Sequence, residues 1–221
     1  MANSNLGGLK LYHYWRSSSA WRVRFALAYK GIEPELIPIN LLNDEAESPE
    51  HLERNPLGFV PVLEVPSADG GKPIYLTESL PIMEWLEEMQ PKPSLLPRDP
   101  LLRFHVRQLA ETINAGIQPY QNLNTQYKVS DDLEKRKEWT VYWMKRGMAA
   151  FETLVSQTAG RYCVGDSLTI ADICLVPQCY SVRRNEISIS DYPTIARIEA
   201  EVLKLESAKW ALPENFQPKA P

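Results

Sequence analysis

Along the first ninety residues, apolar positions switch repeatedly between a period of two and a period near 3.6, whereas beyond residue 100 only the helical period persists. Strands are predicted over residues 9–14, 35–40, 60–65 and 73–76, and helices over 21–30, around 49–54 and over 79–89. Gly31 supplies the stop expected after the first helix. The Asp69-Gly70 and Gly70-Gly71 steps suit a tight reversal, so the last two strands should pair antiparallel and the sheet should be mixed.

Prolines 91, 93, 97 and 100 mark residues 91–100 as a linker, because each removes a backbone donor and biases its predecessor away from helix. After it, long helices are predicted over 101–127, 132–156, 169–183 and 193–205, with Pro193 placed at a first turn where its missing N–H is harmless. Thr169 and Asp172 have the spacing of a capping box. The Pro-rich end, 213–221, is expected to lie extended on the surface. The fold class is therefore α/β plus all-α: a βαβ-ββα domain over 8–90, then a helical domain over 101–221.

With 221 residues and 44% hydrophobic content, the chain can bury two cores. Its 24 basic and 28 acidic residues give a net charge of −4 without long runs of either sign, which argues against nucleic acid or a membrane surface as partner. Three cysteines, Cys163, Cys174 and Cys179, do not make a disulfide framework and fit a reducing compartment, so a cytoplasmic location is expected. Residues 1–10 hold no apolar leader, and no run of apolar residues is long enough to span a bilayer. Cys174 and Cys179 do not share a helix face, and His13, His51 and His105 are scattered, so no metal site and no catalytic histidine are expected.

Chemistry concentrates at Ser17-Ser18-Ser19, where the first strand gives way to the first helix. Hydroxyls beside the unpaired N–H groups and positive dipole end of a helix can hold an anion, and Arg16 or Arg22 adds positive charge. The anion we read is a thiolate. An ordinary cysteine thiol titrates near 8.5 (roughly), and each unit of depression requires about 1.4 kcal/mol of preference for the charged form. No cysteine lies in this segment, so the thiol must arrive with a cosubstrate. Taken alone, a serine here is also a plain N-cap.

Two further segments extend the site. Val60-Pro61, just before a strand, is a candidate cis step that leaves the backbone groups of Val60 open to an extended peptide. Glu78-Ser79 opens the last helix of the domain, where free N–H groups suit a carboxylate and Glu78 suits an amine. Together the three describe a groove for a γ-glutamyl tripeptide with its thiol at the serines.

The run Tyr14-Trp15-Arg16-Ser17-Ser18-Ser19-Ala20-Trp21-Arg22-Val23-Arg24, with Pro38-Ile39-Asn40-Leu41 and Asn55-Pro56, resembles the zeta class of glutathione transferases. The resemblance returns in Gly116-Ile117-Gln118-Pro119-Tyr120-Gln121-Asn122-Leu123, in Tyr162-Cys163-Val164-Gly165-Asp166, in Ala171-Asp172 with Leu175-Val176-Pro177-Gln178, and in Tyr192-Pro193-Thr194-Ile195. It implies a thioredoxin-like first domain, a homodimer, and glutathione as cofactor. It implies that Ser17 activates the glutathione thiol with Ser18 nearby and Ser19 alongside, and that Val60 pairs with the cysteinyl backbone. Glu78 and Ser79 would take the γ-glutamyl end, Gln118 and Asn122 would reach toward the ligand, and Arg184, with Arg16, would hold a small anionic electrophile.

The implied activity is the cis–trans isomerisation of maleylacetoacetate, by a nucleophile that adds, permits rotation and leaves unchanged. Maleylpyruvate isomerisation, or transfer of glutathione to small acids such as α-haloacids, would use the same thiolate; a non-catalytic association module is the third reading. Departures from the family are Ser19 and Ala20 where many members read Cys-Ser, Glu78 where many carry Gln, and a longer hairpin around 67–72.

Overall fold

Four strands, β1 (Lys10–His13), β2 (Glu35–Pro38), β3 (Val62–Val65) and β4 (Ile74–Thr77), form one sheet ordered β2-β1-β3-β4 in the computed structural model, which describes residues 6–218. β1 runs parallel to β2 and antiparallel to β3, and β4 antiparallel to β3, so the sheet is mixed as expected. The third strand begins at Val62 rather than residue 60, because Pro61 has no N–H to give the ladder. Packed with the sheet are α1 (Ser18–Tyr29), α2 (Pro49–Arg54) and α3 (Ser79–Met89). Leu11, Phe25, Val62, Leu63, Ile82, Met83 and Leu86 are fully buried, each burial contributing about 1.5–3 kcal/mol.

The first helix starts at Ser18 instead of residue 21, which moves the serines from a preceding loop into the cap and first turn. Its other end is fixed by a buried amine. Lys30 Nζ donates to Glu87 Oε2 at 2.7 Å, to the Gln90 carbonyl at 2.7 Å and to the Pro93 carbonyl at 3.0 Å, tying α1 to the end of α3 and the start of the linker.

By internal contacts the chain forms two units, one running to Pro93 and resuming at Glu206, the other spanning Ser94–Leu205. The second unit consists of α4 (Pro100–Asn114), α5 (Leu123–Val129), α6 (Leu133–Val155), α7 (Ile170–Arg184) and α8 (Pro193–Val202). The single helix predicted over 101–127 is in fact broken. A 3₁₀ turn, Gln118–Gln121, separates α4 from α5, since Pro119 cannot donate and Gly116 sits where a Cβ would lie 2.5 Å from the Thr112 carbonyl. The capping box of α7 forms as predicted: Asp172 accepts from the Thr169 N–H and hydroxyl at 2.8 Å each, and from the Cys163 N–H at 2.8 Å.

The carboxyl-terminal segment belongs to the first unit and is not extended throughout. A short helix, α9 (Glu206–Trp210), contacts α1, and a 3₁₀ turn, Pro213–Phe216, follows with Pro213 buried. Phe216 meets the Trp210 ring edge-on at 5.1 Å and the His13 ring at 5.8 Å, an apolar anchor that overrides the local proline bias. The remainder of that prediction, 219–221, and the start of the polar amino-terminal stretch, 1–5, lie outside the described residues.

Candidate active site

Tyr12 pairs with Val62, and Val62 with Thr77, so the carboxyl end of β1, the amino end of β3 and the carboxyl end of β4 lie side by side. The serine turn, the Val60-Pro61 step and Glu78 thus leave the sheet at one end. Within this unit the fold brings together six of the predicted residues, Ser17, Ser18, Ser19, Val60, Glu78 and Ser79.

Ser17 is the N-cap of α1, and its Oγ accepts the Ala20 N–H at 3.2 Å. Capping and thiolate donation are compatible at this residue. The cap uses a lone pair, while the hydroxyl proton remains to be donated, and accepting one hydrogen bond makes the hydroxyl a better donor. No acidic residue occupies the first turn of α1, so its positive end is not neutralised from within the helix.

Arg24 holds the turn that leads to Ser17. It is fully buried and donates to the Trp15 carbonyl at 2.9 Å, the Tyr14 carbonyl at 3.4 Å and His13 Nδ1 at 3.1 Å, with the Phe216 ring centroid 4.5 Å from its Cζ. The Tyr14 carbonyl also takes the Ser17 N–H at 3.0 Å. Burial pushes the Arg24 guanidinium down to about 9, which leaves it cationic at neutral pH. Because arginine only donates, His13 Nδ1 carries the lone pair. Burial first, and the Arg24 charge second, push His13 down to about 4.

Val60-Pro61 is cis, and Val60 stands outside the β3 ladder. The preceding carbonyl, of Phe59, is held twice: His51 Nε2 donates at 3.1 Å and Asn55 Nδ2 at 2.9 Å. Gly58 completes this turn with φ +66°, where an added Cβ would lie 3.1 Å from the Ala46 carbonyl, so only glycine fits without displacement.

Glu78 caps α3 with φ +66° and ψ 121°, a conformation that costs a non-glycine residue about 1–3 kcal/mol. This strained residue stands at the mouth of a helix, at the same end of the sheet as the serine turn and the Val60-Pro61 step. Ser79 is buried, and its Oγ accepts from Arg22 Nη1 at 3.1 Å, which couples α1 to the start of α3.

Gln118 and Asn122 lie in the second unit and pair with each other, Gln118 Nε2 donating to Asn122 Oδ1 at 2.8 Å. Gln121 and the fully buried Gln178 exchange amide hydrogen bonds at 3.4 and 3.1 Å, fixing the 3₁₀ turn to α7. Arg184 is exposed at the last position of α7; its neighbour Arg183 pairs with Glu199. Arg16 is half-buried beside the serine turn, its Cζ 5.3 Å from the Trp15 ring centroid.

The reading of the sequence assigned no supporting role to Arg24, to the His51 and Asn55 pair or to Gln178, although Arg24, Asn55 and Gln178 lie in the quoted motifs. One signal was available, since His51 and Asn55 are four apart and fall on one side of a helical turn. Arg24 and Gln178 stand in the motifs that carry the resemblance, but nothing in a helical pattern marks a buried polar residue as holding a distant carbonyl or amide.

Residues 16–89 match the model of the glutathione S-transferase N-terminal domain, and 118–209 that of the C-terminal domain. The chain is 44% identical to maleylacetoacetate isomerase of Mus musculus over 96% of its length and 94% of that protein's. Its structure is similar to that of maleylacetoacetate isomerase from Anaeromyxobacter dehalogenans 2CP-1, solved with glutathione in the active site. The TM-score is 0.88 and the identity 44%, covering 97% of this chain and 98% of that one. It is also similar to the holo structure of a zeta-class bacterial maleyl pyruvate isomerase, with a TM-score of 0.87 and 33% identity over 96% of this chain and all of the other.

Proposed function

We propose that this chain, which belongs to the glutathione S-transferase family and within it to the zeta class of maleylacetoacetate isomerases, isomerises maleylacetoacetate to fumarylacetoacetate with glutathione as cofactor. The observation that carries the reading is the gathering of a serine-capped helix start with no acidic residue in its first turn, the backbone of Val60 outside the ladder and the strained Glu78 at one end of one sheet. This donor set suits the tripeptide: hydroxyl and N–H groups for a sulfur anion, backbone groups for a peptide, and a carboxylate with a helix start for an amino-acid end.

When bound, glutathione supplies a nucleophilic sulfur that adds to the cis double bond, permits rotation and is released unchanged. Ser17 stabilises the anionic form of that thiol by donating its hydroxyl proton in a hydrogen bond, with Ser18, Ser19 and the first N–H groups of α1 close by. Glu78 and Ser79 hold the γ-glutamyl end, and Gln118 and Asn122 reach the ligand from the second unit. Arg184 and Arg16 orient the dianionic electrophile by charge-assisted pairing.

The protein acts as a homodimer on this reading, supported by the edge strand β4 exposing Ile74 at 58% and by α4 exposing Leu101 at 63% and Phe104 at 55%. A cytoplasmic location is supported by its three free, buried thiols; no described helix is long and apolar enough to cross a membrane. The test is to supply maleylacetoacetate with glutathione and follow product and free thiol together. Fumarylacetoacetate with an undiminished thiol titre is the expected result; a stable thioether with thiol consumed in proportion would make the protein a transferase instead.

A further inference from the structure

His51 is fully buried in the six-residue helix α2, and its side chain bonds the Phe59 carbonyl at 3.1 Å. A carbonyl can only accept, so Nε2 carries a proton; Nδ1 is buried without a partner among the described residues. Asn55, 3% exposed, donates to the same oxygen at 2.9 Å, while its own Oδ1 accepts the Leu57 N–H at 3.2 Å and its carbonyl the Gly58 N–H at 2.9 Å. Two side-chain donors thus converge on one carbonyl, within a turn already closed by backbone bonds.

Their target explains them. The Phe59 carbonyl and the Val60 N–H belong to one planar peptide unit, so the direction of the first fixes the direction of the second. We propose that His51 is a positioning residue for glutathione: by holding the Phe59 carbonyl it aims the Val60 N–H at the cysteinyl backbone. This rests on the reading of Val60 as that contact. Asn55 defines one line from the oxygen and His51 a second, and two lines leave the peptide plane little room to rock. Histidine suits the task because its ring is rigid and fills the buried space with few rotamers to lose.

The experiment compares His51→Leu, which fills the space without a donor, with His51→Gln, whose amide N–H can take the place of Nε2. Glutathione affinity is read by calorimetry, and KM for glutathione and kcat by the isomerase assay. We expect His51→Leu to raise both Kd and KM for glutathione about tenfold, the loss of roughly one hydrogen bond, with kcat at saturating glutathione within about twofold. His51→Gln restores affinity to within about twofold. Equal affinity in His51→Leu and the unsubstituted protein overturns the proposal, as does a loss in His51→Gln as large as in His51→Leu, or a fall in kcat matching the rise in Kd. If His51→Leu does not fold, His51→Phe replaces it with the same expectation, and failure of both to fold makes the imidazole structural and overturns the role. Should the unsubstituted protein show no heat of binding with glutathione, the site reading itself falls; should it bind while His51→Leu binds as tightly, only the role of His51 falls.

Discussion

Around the serine turn the first unit buries charged and imidazole side chains and spends their donors on backbone carbonyls, Arg24 on Tyr14 and Trp15 and His51 on Phe59. The second unit holds its candidate residues by side-chain amide pairs, Gln118 with Asn122 and Gln121 with Gln178, and leaves Arg184 exposed. A fixed peptide backbone suits a cofactor that is the same in every turnover, because backbone groups read a backbone. An exposed arginine at a helix end suits an electrophile whose shape changes as its double bond rotates. The two units thus hold their candidate residues in different ways.

The contrast is tested first where its effect is largest. Ser17→Ala removes the one side-chain hydroxyl that caps the turn, and turnover at saturating glutathione is expected to fall by about 10²–10³, as for loss of a single anion-stabilising donor. The same change removes an N-cap, so the midpoint of denaturation shifts by about 1 kcal/mol; full activity would place the anion elsewhere.

Lys30→Met separates holding the fold from holding the site. It removes the buried amine that Glu87 Oε2 and the carbonyls of Gln90 and Pro93 accept from. Stability in urea should drop by about 3 kcal/mol, while glutathione affinity of the folded protein stays unchanged, since the lysine lies at the end of α1 remote from the serines.

Acid should loosen the first unit through His13. Its folded value of about 4 lies below the 6.5 of an unperturbed imidazole, so between those pH values the unfolded chain binds a proton that the folded chain refuses. Stability from this group is complete above 6.5 and declines as pH falls toward 4, by up to about 1.4 kcal/mol per pH unit. His13→Gln should flatten that limb of the stability profile, and an unchanged limb would remove His13 from the account.

Gln118→Ala is expected to matter least, raising KM for glutathione only a few-fold, about 0.5–1 kcal/mol, because its amide bonds a neighbour on the same turn. A loss as large as that from Ser17→Ala would erase the division between the units.

Much of the candidate site's local geometry could be read in the sequence because turn chemistry is local. Three serines before an amphipathic helix, an X-Pro step before a strand and a Glu-Ser pair at a helix start each announce their backbone surroundings. The mixed sheet followed in the same way from period and turn residues. What stayed hidden depends on contacts across sequence: a cation among apolar positions of α1 gave no sign that Arg24 would reach back to Trp15, or that Phe216 would fold onto it. The break between α4 and α5 was written in Gly116 and Pro119, but the apolar period ran through both and masked it. Helix boundaries erred for a related reason, since a serine can cap a helix or begin it, and only the bond from Ala20 decides.

The most direct measurement is the ionisation of glutathione bound to the protein, followed by the ultraviolet absorption of the thiolate as pH is raised. The account predicts a bound thiol at least one unit below the free thiol's value of about 8.5, and a return toward that value in Ser17→Ala. A bound thiol that titrates like the free one in the unsubstituted protein, or a lowered value that survives Ser17→Ala, would contradict it.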